Sequence, residues 1–178
     1  MKFIKYLNEK SSMQSTMIGF RIDETKIQNV IDYVESWLVR YNVPYEHVET
    51  KHISVAQILD KARKDELVRV IHKISPSYKF RVKKLTLFNG KEWDFFVLEL
   101  YKTKNFTELF NQIKEKYNVV EYQGGVKPHI SIIKIEKGIA SDEFLADVIR
   151  DAPLPKQIKA KKVDLWNPKF QIEYTKKR

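Results

Sequence analysis

The tripeptide His-Ile-Ser occurs twice in this chain, at residues 52–54 and again at residues 129–131. Each copy opens a segment with the alternation of a β-strand, HISVAQI at 52–58 and HISIIKI at 129–135. Alternate side chains of a strand point to the same face, so each histidine shares a face with its serine. Two such strands, each offering an imidazole and a hydroxyl to a common cleft, predict a site for acid–base chemistry on a phosphate.

The remaining elements repeat around the two copies in the same order. Each half is predicted to run strand, helix, His-Ile-Ser strand, helix, strand, and Thr16 precedes His52 by nearly the same distance as Trp93 precedes His129. The pattern of apolar residues predicts strands at 15–22, 52–58, 80–87, 93–100, 129–135, 157–166 and 170–175, and helices at 25–41, 60–74, 105–117 and 142–150.

This self-similarity predicts an α+β fold with two pseudo-symmetric lobes in a single domain, 1–178. As a structural duplication, the N-terminal lobe covers about 15–90 and the C-terminal lobe about 91–175. Each lobe is expected to hold a small, mostly antiparallel sheet with helices outside. The active-site cleft is expected between the lobes, where a pseudo-twofold axis would bring the two histidines together.

Local signals support several of these boundaries. Asn89-Gly90 is typical of a β-hairpin turn, and the alternation slips by one residue in the strand before it, as at a bulge. Ser141 can cap the helix that follows it. The first helix carries apolar residues at helical spacing as far as Tyr41, which predicts an inward face along its whole length.

Composition excludes several classes of protein. The chain has no cysteine, which excludes a disulfide framework, a zinc ribbon and a cysteine nucleophile. No stretch approaches the roughly 18 apolar residues of a membrane helix, so we expect a cytoplasmic protein with no membrane association. The formal net charge of +10 would attract polyanions, but scattered lysines are equally typical of solvated faces. Charge alone therefore does not select an anionic substrate.

Two His-x-Ser/Thr motifs, each on a strand and one pseudo-repeat apart, resemble the 2H phosphoesterase superfamily from about residue 15 to 175. That family includes the LigT-like RNA-ligase relatives, cyclic phosphodiesterases, 2′-5′-oligoadenylate phosphodiesterases and phage enzymes that destroy cyclic-nucleotide signals. The resemblance implies a hydrolase that needs no metal and no other cofactor, with His52, Ser54, His129 and Ser131 as its catalytic residues. Many members have threonine in place of these serines, and the hydroxyl is kept either way.

These residue types suit cleavage of a phosphodiester. Histidine has an ordinary pKa of about 6.5, so one imidazole can act as base while a second, protonated one acts as acid. The serine hydroxyls can donate hydrogen bonds to the non-bridging oxygens of the transition state. The near-symmetry of the pair leaves open which histidine is the base.

Other chemistries fit the sequence less well. A zinc site would need a third ligand beside the two histidines, and the nearby Glu49 and Glu136 fall in a loop and at a strand end. A serine hydrolase would need a G-x-S-x-G elbow, which the chain lacks. His47 and His72 have no counterpart in the repeat and are interpreted as a solvated loop residue and a structural residue. A non-catalytic nucleotide- or RNA-binding module stays as the alternative from another class.

Residues for substrate binding follow from position. Lys51 and Lys127 occupy equivalent loops before the two motifs and could attract phosphate, although ordinary surface lysines fit as well. Tyr122, Trp166 and Phe20 are candidates for stacking on a base, against the alternative that they belong to the core.

The expected substrate is a nucleotide or short oligonucleotide with a 2′-5′, 2′,3′-cyclic or cyclic-oligonucleotide linkage. No obligatory protein partner is expected. The compact, lysine-rich chain would suit a viral or phage anti-defence enzyme that degrades second messengers in the host cytoplasm, and RNA-end processing is the alternative within the class.

Overall fold

The computed structural model describes residues 15–59, 63–74, 78–121, 125–167 and 172–177. Within these ranges the strands are β1 (Thr16–Ile22), β2 (Tyr45–His47), β3 (His52–Ile58), β4 (Tyr78–Asn89), β5 (Trp93–Leu100), β6 (His129–Glu136), β7 (Gln157–Trp166) and β8 (Ile172–Lys177). The helices are α1 (Gln28–Arg40), α2 (Lys64–Lys73), α3 (Lys104–Lys114) and α4 (Asp142–Arg150), and a 3₁₀ turn at Glu24–Lys26 precedes α1. The predicted α+β class and order of elements are confirmed, and the short β2 is an addition to them.

The strands form one strongly curled antiparallel sheet in the order β2-β6-β5-β4-β7-β1-β3, and β8 pairs with β7. The order is symmetric about the central β4–β7 pair. Moving outward, β5 and then β6 follow on one side, and β1 and then β3 follow on the other. The two His-Ile-Ser strands, β3 and β6, therefore occupy corresponding positions in the two arms of the sheet.

The two halves of the chain exchange strands. β7 belongs to the C-terminal half in sequence, yet it pairs with β1, and β4 belongs to the N-terminal half, yet it pairs with β5. β2 likewise pairs with β6 of the other half. The two halves expected from the repeat, with their boundary near residue 90, therefore both contribute strands to each arm of the sheet.

The core lies on the sheet face that the helices cover. Phe20 of β1 packs against Phe80 of β4, and Phe80 contacts Phe106 of α3, with ring centroids 5.6 Å and 6.1 Å apart. Buried residues of α1 recur at helical spacing at Val30, Ile31, Val34 and Leu38. Burial of this apolar surface is the main stabilising contribution to the fold.

Helix ends follow their capping residues. The hydroxyl of Ser141 accepts a hydrogen bond from the Phe144 amide at 3.2 Å, which confirms it as the cap of α4. The inward position expected for Tyr41 is wrong. α1 ends at Arg40, and Tyr41 is 51% exposed, because beyond the last turn its ring stacks on Trp37 instead of entering the core.

The predicted hairpin and bulge are both present. β4 and β5 pair around the turn, where the Gly90 amide donates to the Trp93 carbonyl at 2.9 Å. The register of this pair shifts between Val82 and Lys84, which is the slip expected from the sequence. No helix in the described part of the chain is long and apolar enough to cross a membrane.

Candidate functional site

The two His-Ile-Ser motifs have the same backbone geometry. His52 is the first residue of β3 and His129 the first residue of β6. In each strand the register with its partner shifts directly after the serine, so that Val55 of β3 and Ile132 of β6 are left as the extra residues of a bulge. The internal similarity therefore extends to an irregularity of the backbone, and in both copies the histidine and serine precede it on one face.

Both imidazoles are held through the same ring nitrogen. Nδ1 of His52 lies 2.9 Å from the carbonyl oxygen of Thr50, and Nδ1 of His129 lies 2.8 Å from that of Lys127. A carbonyl oxygen can only accept, so Nδ1 carries the hydrogen in each ring. Nε2 is then the atom that gains or loses a proton, and it is fixed at the same position in both motifs.

Each imidazole also packs against an aromatic ring from a central strand. The ring centroids of His52 and Trp166 are 5.1 Å apart, and those of His129 and Phe88 are 4.9 Å apart. Trp166 is in β7 and Phe88 is in β4, the two strands related by the symmetry of the sheet. Phe88 is not among the sequence candidates, although its place in the repeat matches that of Trp166.

Burial lowers the pKa of both histidines below the ordinary value. For His52, burial is the largest cause; the hydrogen bond to Thr50 opposes it, the nearby His129 adds to it, and Asp164 opposes it. For His129, burial again lowers the pKa, and the Lys127 carbonyl and Glu99 oppose it. Both rings therefore favour the neutral form at neutral pH, which is the form that can accept a proton.

Both histidines line one cavity of about 780 Å³ between the two motifs. This volume is in the range of sites for small molecules and nucleotides. Away from the histidines the described residues of its wall are mostly apolar, and Lys127 is the cation among them. Its lining consists of Met17, His52, Ser54, Val55, Ala56, Gln57, Leu87, Phe88, Asn89, Phe110, Val120, Gly125, Val126, Lys127 and His129.

The two serines differ in their surroundings. Ser54 lines the cavity, and its hydroxyl donates to the sulfur of Met17 at 3.1 Å. Ser131 is half-buried and lies across from Val97 in β5, outside the cavity lining. A hydroxyl bound only to a thioether is readily released for a better acceptor, because sulfur is a weak acceptor.

The two lysine candidates differ in whether they reach the cavity. Lys127 lines the cavity with an exposed side chain, as the sequence suggests. Lys51 is only 6% exposed, and its Nζ donates to the carbonyl oxygen of Val48. The expectation that Lys51 attracts phosphate therefore needs correcting, because its ammonium group is turned into the loop before β3 and braces that loop.

The two aromatic candidates within the described residues, Phe20 and Trp166, do not offer open ring faces. Phe20 is fully buried among core rings, and Trp166 is 1% exposed beneath His52, so stacking of either on a base is inconsistent with its position. Their apolar surface is used in packing, and for Trp166 that packing orients an imidazole. Tyr122 lies outside the described residues.

The other two histidines lie in contacts away from the cavity. His47 pairs with Glu35 at 2.9 Å, and His72 meets the hydroxyl of Tyr174 at 2.9 Å. Among the residues that the structure describes, no group of three or more histidine, aspartate and glutamate side chains is arranged to hold a metal ion.

Comparison with known proteins identifies the fold. No protein-family model and no curated protein sequence matches the chain. Among solved structures it is similar to Usb1 of Kluyveromyces marxianus, with a TM-score of 0.66 and 11% identity over 93% of this chain and 98% of that one. It is similar to E. coli LigT complexed with 3′-AMP, with a TM-score of 0.61 and 10% identity over 93% and 94% of the two chains. TT0787 of Thermus thermophilus aligns with a TM-score of 0.58 and 13% identity over 92% and 97%.

These likenesses extend over nearly the whole chain in each case. They confirm the fold that the paired motifs lead us to expect, that of the 2H phosphoesterases.

Proposed function

We propose that this protein is a metal-independent phosphodiesterase in which His52 and His129 perform acid–base catalysis. The observation that carries the proposal is the matched anchoring of the two imidazoles at one cavity. Each ring is fixed through Nδ1 by a backbone carbonyl, which commits Nε2 to proton transfer. The shared fold with Usb1, LigT and a protein described as a phosphoesterase supports the same conclusion.

The reaction needs one proton removed and one supplied. The neutral imidazole takes the proton of the attacking hydroxyl or water through Nε2 as the new P–O bond forms. The protonated imidazole gives its Nε2 proton to the leaving oxygen as the old P–O bond breaks. Each such group typically contributes about 10²–10⁴-fold to the rate. Ser54 and Ser131 would donate to the non-bridging oxygens, where negative charge is held in the transition state.

The substrate class we propose is a nucleotide or short oligonucleotide with a 2′-5′, 2′,3′-cyclic or cyclic-oligonucleotide phosphodiester. The cavity volume and Lys127 at its wall suit a nucleotide with one phosphate between the histidines. Structures of similar fold are complexes with uridine monophosphate and with 3′-AMP, which supports a nucleotide ligand. Within this class, degradation of second messengers by a viral or phage enzyme in the host cytoplasm is the specific role, and RNA-end processing is its alternative.

A binding module that grips phosphate without turnover is the alternative from another class. Pure phosphate binding would favour arginine or lysine at the two central positions, because these stay charged at neutral pH. Histidines with lowered pKa values are poor permanent cations, and at neutral pH they are held mainly in the neutral form that a general base needs. The lowered pKa values therefore favour an enzyme over a binding module.

Product analysis by liquid chromatography and mass spectrometry in the presence of EDTA tests the proposal. The panel contains 2′,3′-cyclic mononucleotides, 2′-5′ oligoadenylate, cyclic di- and trinucleotides and short RNA ends. His52→Ala and His129→Ala should abolish cleavage, while His47→Ala and His72→Ala are matched controls outside the cavity. The linkage consumed identifies the subclass. Tight binding of a panel member with no product after long incubation would instead favour the binding module.

A further inference from the structure

Strand register places a series of cations on the same sheet face as the two histidines. Across the first arm, His52 of β3 pairs with Arg21 of β1, which pairs with Lys162 of β7. Across the second arm, His129 of β6 pairs with Glu99 of β5, which pairs with Lys84 of β4. Residues paired directly across antiparallel strands point to the same face.

The series continues through the central pair of strands. Lys79 of β4 lies directly across from Lys159 of β7, and Arg81 lies across from Gln157. These four residues are exposed, and they alternate with residues that are buried in the core, such as Phe80 and Ile158. One basic strip therefore lies on the sheet face opposite the core. It consists of Lys79, Arg81, Lys84, Lys159 and Lys162, of which Lys162 is in the paired series that starts at His52 and Lys84 in the one that starts at His129.

Acidic residues on this face form ion pairs with the strip only at Lys84, among the residues that the structure describes. Asp164 is fully buried and bound to Arg21 at 2.6 Å and to Thr175 at 2.7 Å. Glu99 pairs with Lys83 at 2.6 Å and with Lys84 at 3.7 Å. Within the described part of the chain, no ion pair engages Lys79, Arg81, Lys159 or Lys162.

The two facing lysines at the centre of the strip destabilise the sheet when no anion is bound to them. Lys79 and Lys159 are like charges directly opposite each other, an arrangement that destabilises a sheet. A polyanion laid along the strip would relieve this repulsion and release counterions. The guanidinium of Arg81 also lies 5.1 Å from the ring centroid of Tyr101, which is 46% exposed and available for stacking on a base.

The strip leads away from the cavity along one continuous strand. β4 carries Lys79, Arg81 and Lys84 and then reaches Leu87, Phe88 and Asn89 in the cavity wall. At a rise of about 3.3 Å per residue, Lys79 and Lys84 are about 17 Å apart along β4. That length exceeds what a single phosphate can contact, so several phosphates are needed to occupy the strip.

We infer that the basic strip binds the phosphates flanking the reacting one, so that the substrate is a single-stranded oligonucleotide that extends from the cavity along β4 and β7. This inference rests on the proposed function for the identity of the reacting phosphate. The strip itself is defined by register, exposure and charge, and its binding can be measured without catalysis.

The test compares two variants that each lose three positive charges. Lys79→Gln/Arg81→Gln/Lys159→Gln removes the centre of the strip, and Lys26→Gln/Lys73→Gln/Lys116→Gln removes exposed cations in and beside helices. Both are built on His52→Ala/His129→Ala, so that no cleavage occurs. Fluorescence anisotropy then measures affinity for a labelled single-stranded RNA of about eight nucleotides over a range of salt concentrations.

We expect the strip variant to bind the octanucleotide about tenfold more weakly and to lose about 2 units of the slope of log K against log salt, since each phosphate contact contributes about 0.7. The helix variant should keep the parental affinity and slope. Equal losses in the two variants, or no loss in the strip variant, would overturn the inference.

Turnover by the chain with both histidines separates this inference from the proposed function. The ratio of kcat/KM for the octanucleotide to that for a dinucleotide should fall about tenfold in the strip variant and stay constant in the helix variant. A constant ratio in both would refute the strip while leaving the phosphodiesterase intact. Absence of all cleavage together with the expected difference in binding would refute the phosphodiesterase and keep the strip as a binding surface.

Discussion

Gly19 of β1 lies where a methyl group would disturb one histidine and not the other. A Cβ at this position would be 2.8 Å from the carbonyl oxygen of Ile53 and 3.0 Å from the ring of Trp166. The first contact is with the backbone between the histidine and the serine of the first His-Ile-Ser motif, and the second is with the ring that packs on His52. The corresponding position in the other half of the sheet is Val97, which lies across from Ser131 as Gly19 lies across from Ser54.

We therefore expect Gly19→Ala to lower the free energy of unfolding and to lower activity. Overpacking of this kind costs about 1–3 kcal/mol. For a chain of this size that corresponds to a fall in Tm of about 2–12 °C. Activity should fall further than stability explains, because Trp166 must move and the Nε2 of His52 moves with it.

Thermal unfolding and initial-rate measurements on the cleaved substrate test this expectation. Gly138→Ala is the matched control, because Gly138 has φ of +74° and nothing within 4 Å of an added Cβ. That substitution should cost about 1–2 kcal/mol of strain in the left-handed region and leave kcat unchanged. If Gly19→Ala keeps both the Tm and the kcat of the parent protein, the packing argument that links Gly19, Trp166 and His52 is wrong.

Three further predictions follow from the same geometry. His52→Ala and His129→Ala should each lower kcat by about 10²-fold or more, and Ser54→Ala by less, measured by single-turnover cleavage against His47→Ala as control. Because the pKa values of both histidines lie below about 6.5, the singly protonated pair is most abundant on the acid side of that value, so kcat/KM should peak there and fall toward neutral pH. A maximum above pH 7 would contradict the effect of burial. Asp164→Asn should destabilise the fold by about 2–3 kcal/mol in chemical denaturation, since it leaves Arg21 without the charge that it faces; an unchanged midpoint would show that the pair contributes nothing.

Several boundaries could be predicted from the sequence because a single local cause sets each of them. β3, β5 and β7 match their predicted ranges, β3 and β7 through alternation of apolar and polar residues and β5 through a nearly continuous apolar run. α4 begins after its capping serine, and the β4–β5 hairpin turns at Asn89-Gly90. The two histidines can be predicted as a pair because the His-Ile-Ser motif occurs once in each repeat.

The exchange of strands could not be predicted in the same way. Alternation determines which face a side chain occupies, but it carries no information on which strand pairs with which. The position of β7 between β1 and β4 also explains why the sequence does not reveal the positions of Trp166 and Phe88 beside the histidines. Trp166 is brought under His52 by a strand of the other half, so its burial, and the equivalent role of Phe88, depend on pairing that the sequence does not display.

The two halves have the same backbone geometry at the histidines, but they differ in the charged residues beside them. Arg21 lies across from His52, and its partner Asp164 raises the pKa of that histidine. Across from His129 lies the carboxylate of Glu99. Glu99 opposes the lowering of the pKa of His129, whereas His129 itself adds to the lowering of the pKa of His52. A proton on His129 therefore discourages a second proton on His52. Each histidine thus has one carboxylate that opposes the effect of burial on its pKa, Asp164 for His52 and Glu99 for His129, and the two rings differ in that His129 also lowers the pKa of His52.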